Sequence, residues 1–231
     1  MRVCRGIPIS IGTSIIMNDN NICIAIIDYG MGNLQSVLNA SDYVGGCDTV
    51  ITDDPDVIRR ANGLILPGVG AFEDAMEELK NRKLIDVLNE EVLIKNKPIL
   101  GICLGMQLLF QESEENGIHK GLGLIEGTVK KFSIPQIYRL PHIGWNDLVN
   151  INDTKLFTNI DHDKNFYFVH SFHVITEKKY VIAQSHYGIN FTAAVRKYNL
   201  YGTQFHPERS HMNGLTLLKN YFYSIRESTI A

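Results

Sequence analysis

A cysteine bracketed by glycines, Gly101-Ile102-Cys103-Leu104-Gly105, stands near the middle of the chain. The apolar Pro98 to Ile102 leads into it and Met106 to Gln111 continues as a helix, the strand-to-helix setting of a nucleophile elbow. Glycines keep side chains out of a turn too sharp to hold them, and unpaired amides at a helix start favour thiolate over thiol. The same residues also fit a plainer reading, in which Cys103 is a small buried hydrophobe. A base would separate the two. His206-Pro207-Glu208 directly follows the strand-like Leu200 to Phe205, which puts an imidazole at the carboxyl end of a strand. With Pro207 holding the backbone extended, residues i and i+2 point alike, so the Glu208 carboxylate can orient the ring. Thiol, imidazole and carboxylate together are the parts of acyl-transfer chemistry. Pro67-Gly68-Val69-Gly70 also follows a strand and precedes a helix. Its amides, with that of Leu104, suit the oxyanion of a tetrahedral intermediate, although an ordinary turn uses the same residue types.

For these residues to meet, the elements carrying them must share one sheet edge. Ile22 to Ile27 is a short continuous apolar run, as in a strand buried on both faces. The glycine-bearing loop Asp28 to Asn33 follows, then Leu34, Val37, Leu38 and Ser41 on one side of a helix that stops at Gly45-Gly46. Thr49 to Ile51, Leu64 to Leu66 and Pro98 to Ile102 repeat the strand pattern; Phe72, Ala75, Met76, Leu79, and then Leu84, Leu88, Val92, repeat the helical one. This alternation predicts an α/β fold with a doubly wound, mostly parallel sheet, whose ligand sites gather at the carboxyl strand ends. Beyond about Gly121 the runs Phe166 to Val169, Tyr180 to Ala183 and Phe191 to Val195 predict an additional antiparallel region, and Leu215 to Ile225 a closing helix. With no linker or repeat, residues 22–231 read as one domain.

The 231 residues are 45% hydrophobic and 20% charged, with a formal net charge of −3. Such a balance gives no basic face for nucleic acid or an anionic membrane, and points to a small-molecule substrate. Cys4, Cys23, Cys47 and Cys103 lie too far apart for a disulfide scaffold or zinc site and read as reduced thiols of a cytoplasmic protein. His142, His170 and His173 have no ligand-set spacing with one another or with Cys103, so neither metal nor cofactor is expected. The run Glu112 to Glu115 reads as the solvated end of the elbow helix. Residues 1–21 imitate a secretory leader poorly, because Pro8, Gly12, Thr13 and Ser14 interrupt the apolar run; Met17 is the expected natural start.

Gly101 to Gln107, Pro67 to Gly70 and Gly202 to Glu208 together resemble the class I, triad-type glutamine amidotransferases. Ile27 to Asn33, Pro141 to Asn146, Phe168 to Phe172 and His206 to Ser210 narrow the likeness to the glutaminase subunits of imidazole glycerol phosphate synthases, from about Ile22 to the C-terminus. The resemblance implies that Cys103 attacks glutamine to form a γ-glutamyl thioester, while His206, oriented by Glu208, protonates the departing ammonia and then activates water. It further implies that Leu104, Gly68 and Val69 line the oxyanion site and that Gln107, His170 and Ser171 hold the amino acid head group. Trp145 and the Asp28-to-Asn33 loop, Asn33 included, would face a (β/α)8-barrel cyclase, the heterodimer partner that receives ammonia for histidine biosynthesis. Its ligand would promote hydrolysis at the cysteine through a two-state loop at Pro67 to Gly70. Arg209 departs from the lysine commoner in the family. Two alternatives share these residues: a paralogue feeding a sugar-modifying synthase, and a silent binding subunit that keeps the fold.

Overall fold

The computed structural model describes residues 22–152, 155–160 and 164–230, without the side chains of 228–230; the leader and its Met17 lie outside the described residues. Strands β1 (Ile22–Ile27), β2 (Cys47–Thr52), β3 (Gly63–Leu66) and β4 (Ile99–Ile102) alternate with helices α1 (Leu34–Val44), α2 (Pro55–Arg60), α3 (Phe72–Asn81) and α4 (Leu84–Asn89). The elbow helix α5 (Leu104–Leu108) is followed by β5 (Phe110–Ser113), β6 (His119–Lys120), β7 (Ile125–Lys131), β8 (His142–Val149), β9 (Asn165–His170) and β10 (Phe172–Thr176). Strands β11 (Val181–Tyr187), β12 (Ile189–Lys197) and β13 (Leu200–Thr203) precede the closing helix α6 (His211–Ile230).

A nine-stranded sheet runs β2-β1-β3-β4-β13-β12-β11-β8-β9, parallel from β2 through β13 and antiparallel beyond. The expected mixed architecture is therefore present. The alternation of β1 shows why its residues are all apolar: Cys23, Ala25 and Ile27 join the cluster under α2 to α5, whereas Ile22, Ile24 and Ile26 join the one under α1 and α6. A sheet covered on both sides leaves no face for polar residues. Packing against α6 is close, since a Cβ on Gly63 would lie 2.3 Å from Ile225 Cδ1.

Three expectations are corrected. The elbow helix ends at Leu108, and Phe110–Ser113 forms a strand of a second sheet, β10-β7-β5-β6. Phe110 and Ser113 are buried within that sheet, so a run that fits a helix end by composition is claimed by tertiary pairing. The last parallel strand ends at Thr203, where the chain leaves the ladder to carry Gln204 and Phe205 into the core. Finally, Cys47 and Cys103 are free but Cys23 is disulfide-bonded, so the thiols are not all reduced.

Just before β4, Lys97 is nearly buried and binds Glu91 at 2.6 Å, while donating to the carbonyls of Ile58 and Arg59 at 2.8 Å each. It thereby satisfies the last carbonyls of α2 and fixes the chain that leads to the elbow. Glu91 sits inside a π-helical turn, Glu90–Ile94, and also holds Lys95 at 2.7 Å. Lys97→Met would leave the buried Glu91 with Lys95 alone and take the donor from two carbonyls, and roughly 3 kcal/mol of stability is expected to be lost. Urea unfolding of the two proteins checks this; equal midpoints would refute it.

Candidate active site

Cys103 is the only residue between β4 and α5, and its backbone sits at φ +54°, ψ −109°, in the left-handed half of conformational space. The two neighbouring glycines make that turn possible. A Cβ on Gly105 would lie 1.7 Å from the Leu66 carbonyl oxygen, and one on Gly101 would lie 2.7 Å from the Gly105 oxygen. The Cys103 amide donates to Thr203 O at 2.7 Å, so the strand leading to Cys103 and the one leading to His206 are bonded at their ends. The Cys103 thiol is nearly buried and lies 3.8 Å from Val169 O, its acceptor.

His206 and Glu208 come together, with Nδ1 to Oε1 at 2.8 Å and both side chains buried. The means differs from the expectation. Pro207–Arg209 is a turn of 3-10 helix, not extended chain, and its tight winding brings the second residue back toward the imidazole. The backbone of His206 is held from both sides by β9. Its amide donates to Tyr167 O at 2.9 Å; its carbonyl accepts from Ser210 Oγ, which in turn accepts from the Tyr167 amide at 3.0 Å. Burial opposes a charge on the ring, but the Cys103 sulfur and the Glu208 carboxylate outweigh it and raise the pKa to about 10. His206 Nε2 is buried without a partner in hydrogen-bonding geometry, so the sulfur acts on the ring chiefly through charge. The arrangement favours an imidazolium at His206.

A cleft of about 270 Å³ opens over Cys103, walled by Val69, Gly70, Leu104, Gln107, Glu115 and the segment from Val169 to Phe172. The loop Pro67 to Gly70 lies against the elbow: a Cβ on Gly68 would come within 3.0 Å of the Gly105 amide and 2.4 Å of Tyr29 Oη. Tyr29 itself is buried and donates to Pro67 O at 2.8 Å, while Gly70 takes φ +112°. Gln107 and Ser171 line the cleft. So does His170, but both its ring nitrogens are engaged within the protein. Asn33 and Trp145 stand away from it, Asn33 capping α1 through the Ser36 amide and Trp145 stacking on His211 with centroids 4.6 Å apart.

Four residues of this region were given no part in the site by the reading of the sequence: Glu115, His142, Gln204 and Ser210. Glu115 is no solvated helix end; its Oε2 accepts from the Phe72 amide at 2.9 Å at the start of α3, and its carboxylate faces the cleft. Only Gln204 left a trace in the sequence, as an amide within an apolar run beside His206. His142 continues a directed chain. Because a carbonyl only accepts, the 2.8 Å contact with Phe172 O puts a hydrogen on His170 Nδ1. His170 Nε2 then accepts from His142 Nδ1 at 3.1 Å, and His142 Nε2 from Asn146 Nδ2 at 3.3 Å. Burial lowers the pKa of His170 to about 3 and of His142 to about 4, which keeps both rings neutral.

The class-I glutamine amidotransferase profile matches residues 25–225. The imidazole glycerol phosphate synthase subunit HisH 2 of Vibrio vulnificus is 50% identical over 198 residues, 86% of this chain and 92% of that protein. The HisH 1 subunit of Campylobacter jejuni is 46% identical over 198 residues, covering 86% and 98%. Among solved structures, PurLQS from Thermotoga maritima superposes with a TM-score of 0.66 at 21% identity, over 90% of this chain and 99% of that one, a likeness of fold.

Depressed histidines in the folded state leave protons to the unfolded one, so stability is present above about pH 6.5 and lost as pH falls toward 4. Replacing His142 by Phe should lower the slope of unfolding free energy against pH in that window by up to about 1.4 kcal/mol per pH unit. Urea unfolding at stepped pH values measures it, and an unaltered slope would count against the neutral pair.

Proposed function

The chain belongs to the class-I glutamine amidotransferase family, and from that premise we propose that Cys103, His206 and Glu208 release ammonia from glutamine for imidazole glycerol phosphate formation. The observation that supports this most directly is the His206–Glu208 pair at 2.8 Å, with the charge of Cys103 acting on the same ring. Cys103 attacks the carboxamide carbon, and the negative charge passes to oxygen, where the amides of Leu104 and of the Gly68-Val69 segment receive it. His206 gives its proton to the leaving ammonia, a γ-glutamyl thioester remains, and the now neutral ring draws a proton from water for hydrolysis to glutamate. Glu208 keeps the ring's hydrogen on Nδ1 and stabilises its charge.

The cleft has the size and polarity for one amino acid. Gln107 and Ser171 offer polar groups to the head group, and His170 serves as a neutral wall that fixes the Ser171 segment. Glu115 supplies the negative charge that an α-ammonium requires. No cofactor takes part in these steps. The chain is one subunit of a complex, and its partner is a (β/α)8-barrel cyclase working with it in the cytoplasm. That partner docks on the face of Trp145 and the Asp28-to-Asn33 loop. No described helix is long and apolar enough to cross a membrane.

Glutamate release by the chain alone is expected to be slow and to rise strongly when a histidine-pathway cyclase subunit and its nucleotide ligand are added. Failure of a folded, complexed cyclase to stimulate would point to a sugar-modifying synthase as acceptor. Cys103→Ala should lower turnover by about 10⁴-fold or more; undiminished turnover would refute the triad.

A further inference from the structure

Gln204 is wholly buried between β13 and His206, yet it makes no backbone-mimicking bond to a strand with its side chain. Instead its Oε1 accepts from Gln107 Nε2 at 3.0 Å, and its Nε2 donates to Cys103 Sγ at 3.7 Å. An amide can often be turned end for end without loss, but here the neighbours forbid it. Gln107 Nε2 also donates to Phe172 O, at 3.1 Å. A carbonyl only accepts, so the Gln107 nitrogen must face Phe172. That nitrogen's other hydrogen then requires an oxygen from Gln204, and the remaining end of Gln204, an N–H, is turned to the sulfur. Nothing else in the polarity of this chain is left to choose.

We propose that Gln204 is a further catalytic residue, an N–H donor to the nucleophilic sulfur that stabilises its anionic form, with its direction dictated by Phe172 O through Gln107. The inference rests on the reading of Cys103 as a nucleophile and adds a group to its surroundings. A hydrogen bond that an ion accepts is stronger than one that a neutral sulfur accepts, so the contact favours thiolate over thiol. It also ties two ends of the site together. Gln107 lines the cleft where a head group would sit, and the same amide orients the donor behind the sulfur.

The test reads the sulfur without requiring turnover. The rate of Cys103 alkylation by iodoacetamide is followed against pH at the level of the Cys103 peptide, which separates it from the free thiol of Cys47. Gln204→Met keeps the length and removes the donor; alkylation at neutral pH should fall about tenfold, with the deficit closing at alkaline pH. Gln204→Glu, which offers only acceptors to the sulfur, should fall further. Gln107→Met, in α5 at the wall of the cleft, provides a second variant that leaves Gln204 itself intact, its folding checked by urea unfolding. By freeing Gln204 to rotate it should cause a smaller loss in the same direction. An unchanged profile in the folded variants, Gln107→Met included, would overturn the proposal. Glutamine turnover is measured beside it with the cyclase subunit and its nucleotide ligand present: a shifted alkylation profile in the variants, together with a wild type that releases no glutamate in that complex, would sink the functional reading and leave the role of Gln204 standing.

Discussion

Everything in the site follows from one residue being held in a conformation that it does not prefer. Cys103 at φ +54° is strained for a side chain with a Cβ, at a cost on the order of 1–3 kcal/mol. The strain persists because the turn is fixed from several sides. Thr203 O binds its amide, its own carbonyl accepts from Gln107 N at 3.2 Å, and Gly105 lies so close to Leu66 that no side chain fits between. The chain could relax only by opening the contact between β3, β4 and α5. In exchange, the sulfur projects beyond the sheet edge toward the cleft, where an ordinary helix start would direct it along the surface.

Around that sulfur a second constraint operates, through polarity and not shape. Phe172 O accepts from His170 Nδ1 and from Gln107 Nε2. Each acceptance fixes the direction of a side-chain series, one running outward through His142 to Asn146 and the other inward through Gln204 to Cys103. Buried hydrogen-bonding groups are costly to leave unpaired, so a single carbonyl sets the orientation of several side chains at once. The strand it belongs to, β10, therefore matters to the chemistry although it contributes no reactive group.

The parallel half of the fold was legible because its physics is local: apolar runs covered on both faces, glycines at the turns, and helical spacing between them. The elbow and His206-Pro207-Glu208 were legible for a similar reason, since their residue types are unusual in company. The small second sheet was not. Phe110–Ser113 and Ile125–Lys131 become strands by pairing with each other and with β10, and nothing in their own residues outweighs a helix or loop until those partners are present. The 3-10 turn at Pro207–Arg209 shows the same limit at a smaller scale, because proline fits both an extended segment and the first position of a helical turn. Glu115 and His142 gained their places only through residues tens of positions away, and no local pattern marks them.

Tyr167 occupies two worlds. Its backbone amide and carbonyl, inside, are what hold the main chain of His206, directly and through Ser210. Its ring, partly outside, lies 4.3 Å from the Arg209 guanidinium and 6.0 Å from Trp145, which is 44% exposed. A body pressing on that aromatic surface thus pushes on the very residue whose peptide groups grip His206. The link is covalent and one residue long, so a displacement there needs no cascade of loosely packed neighbours to be felt at the imidazole.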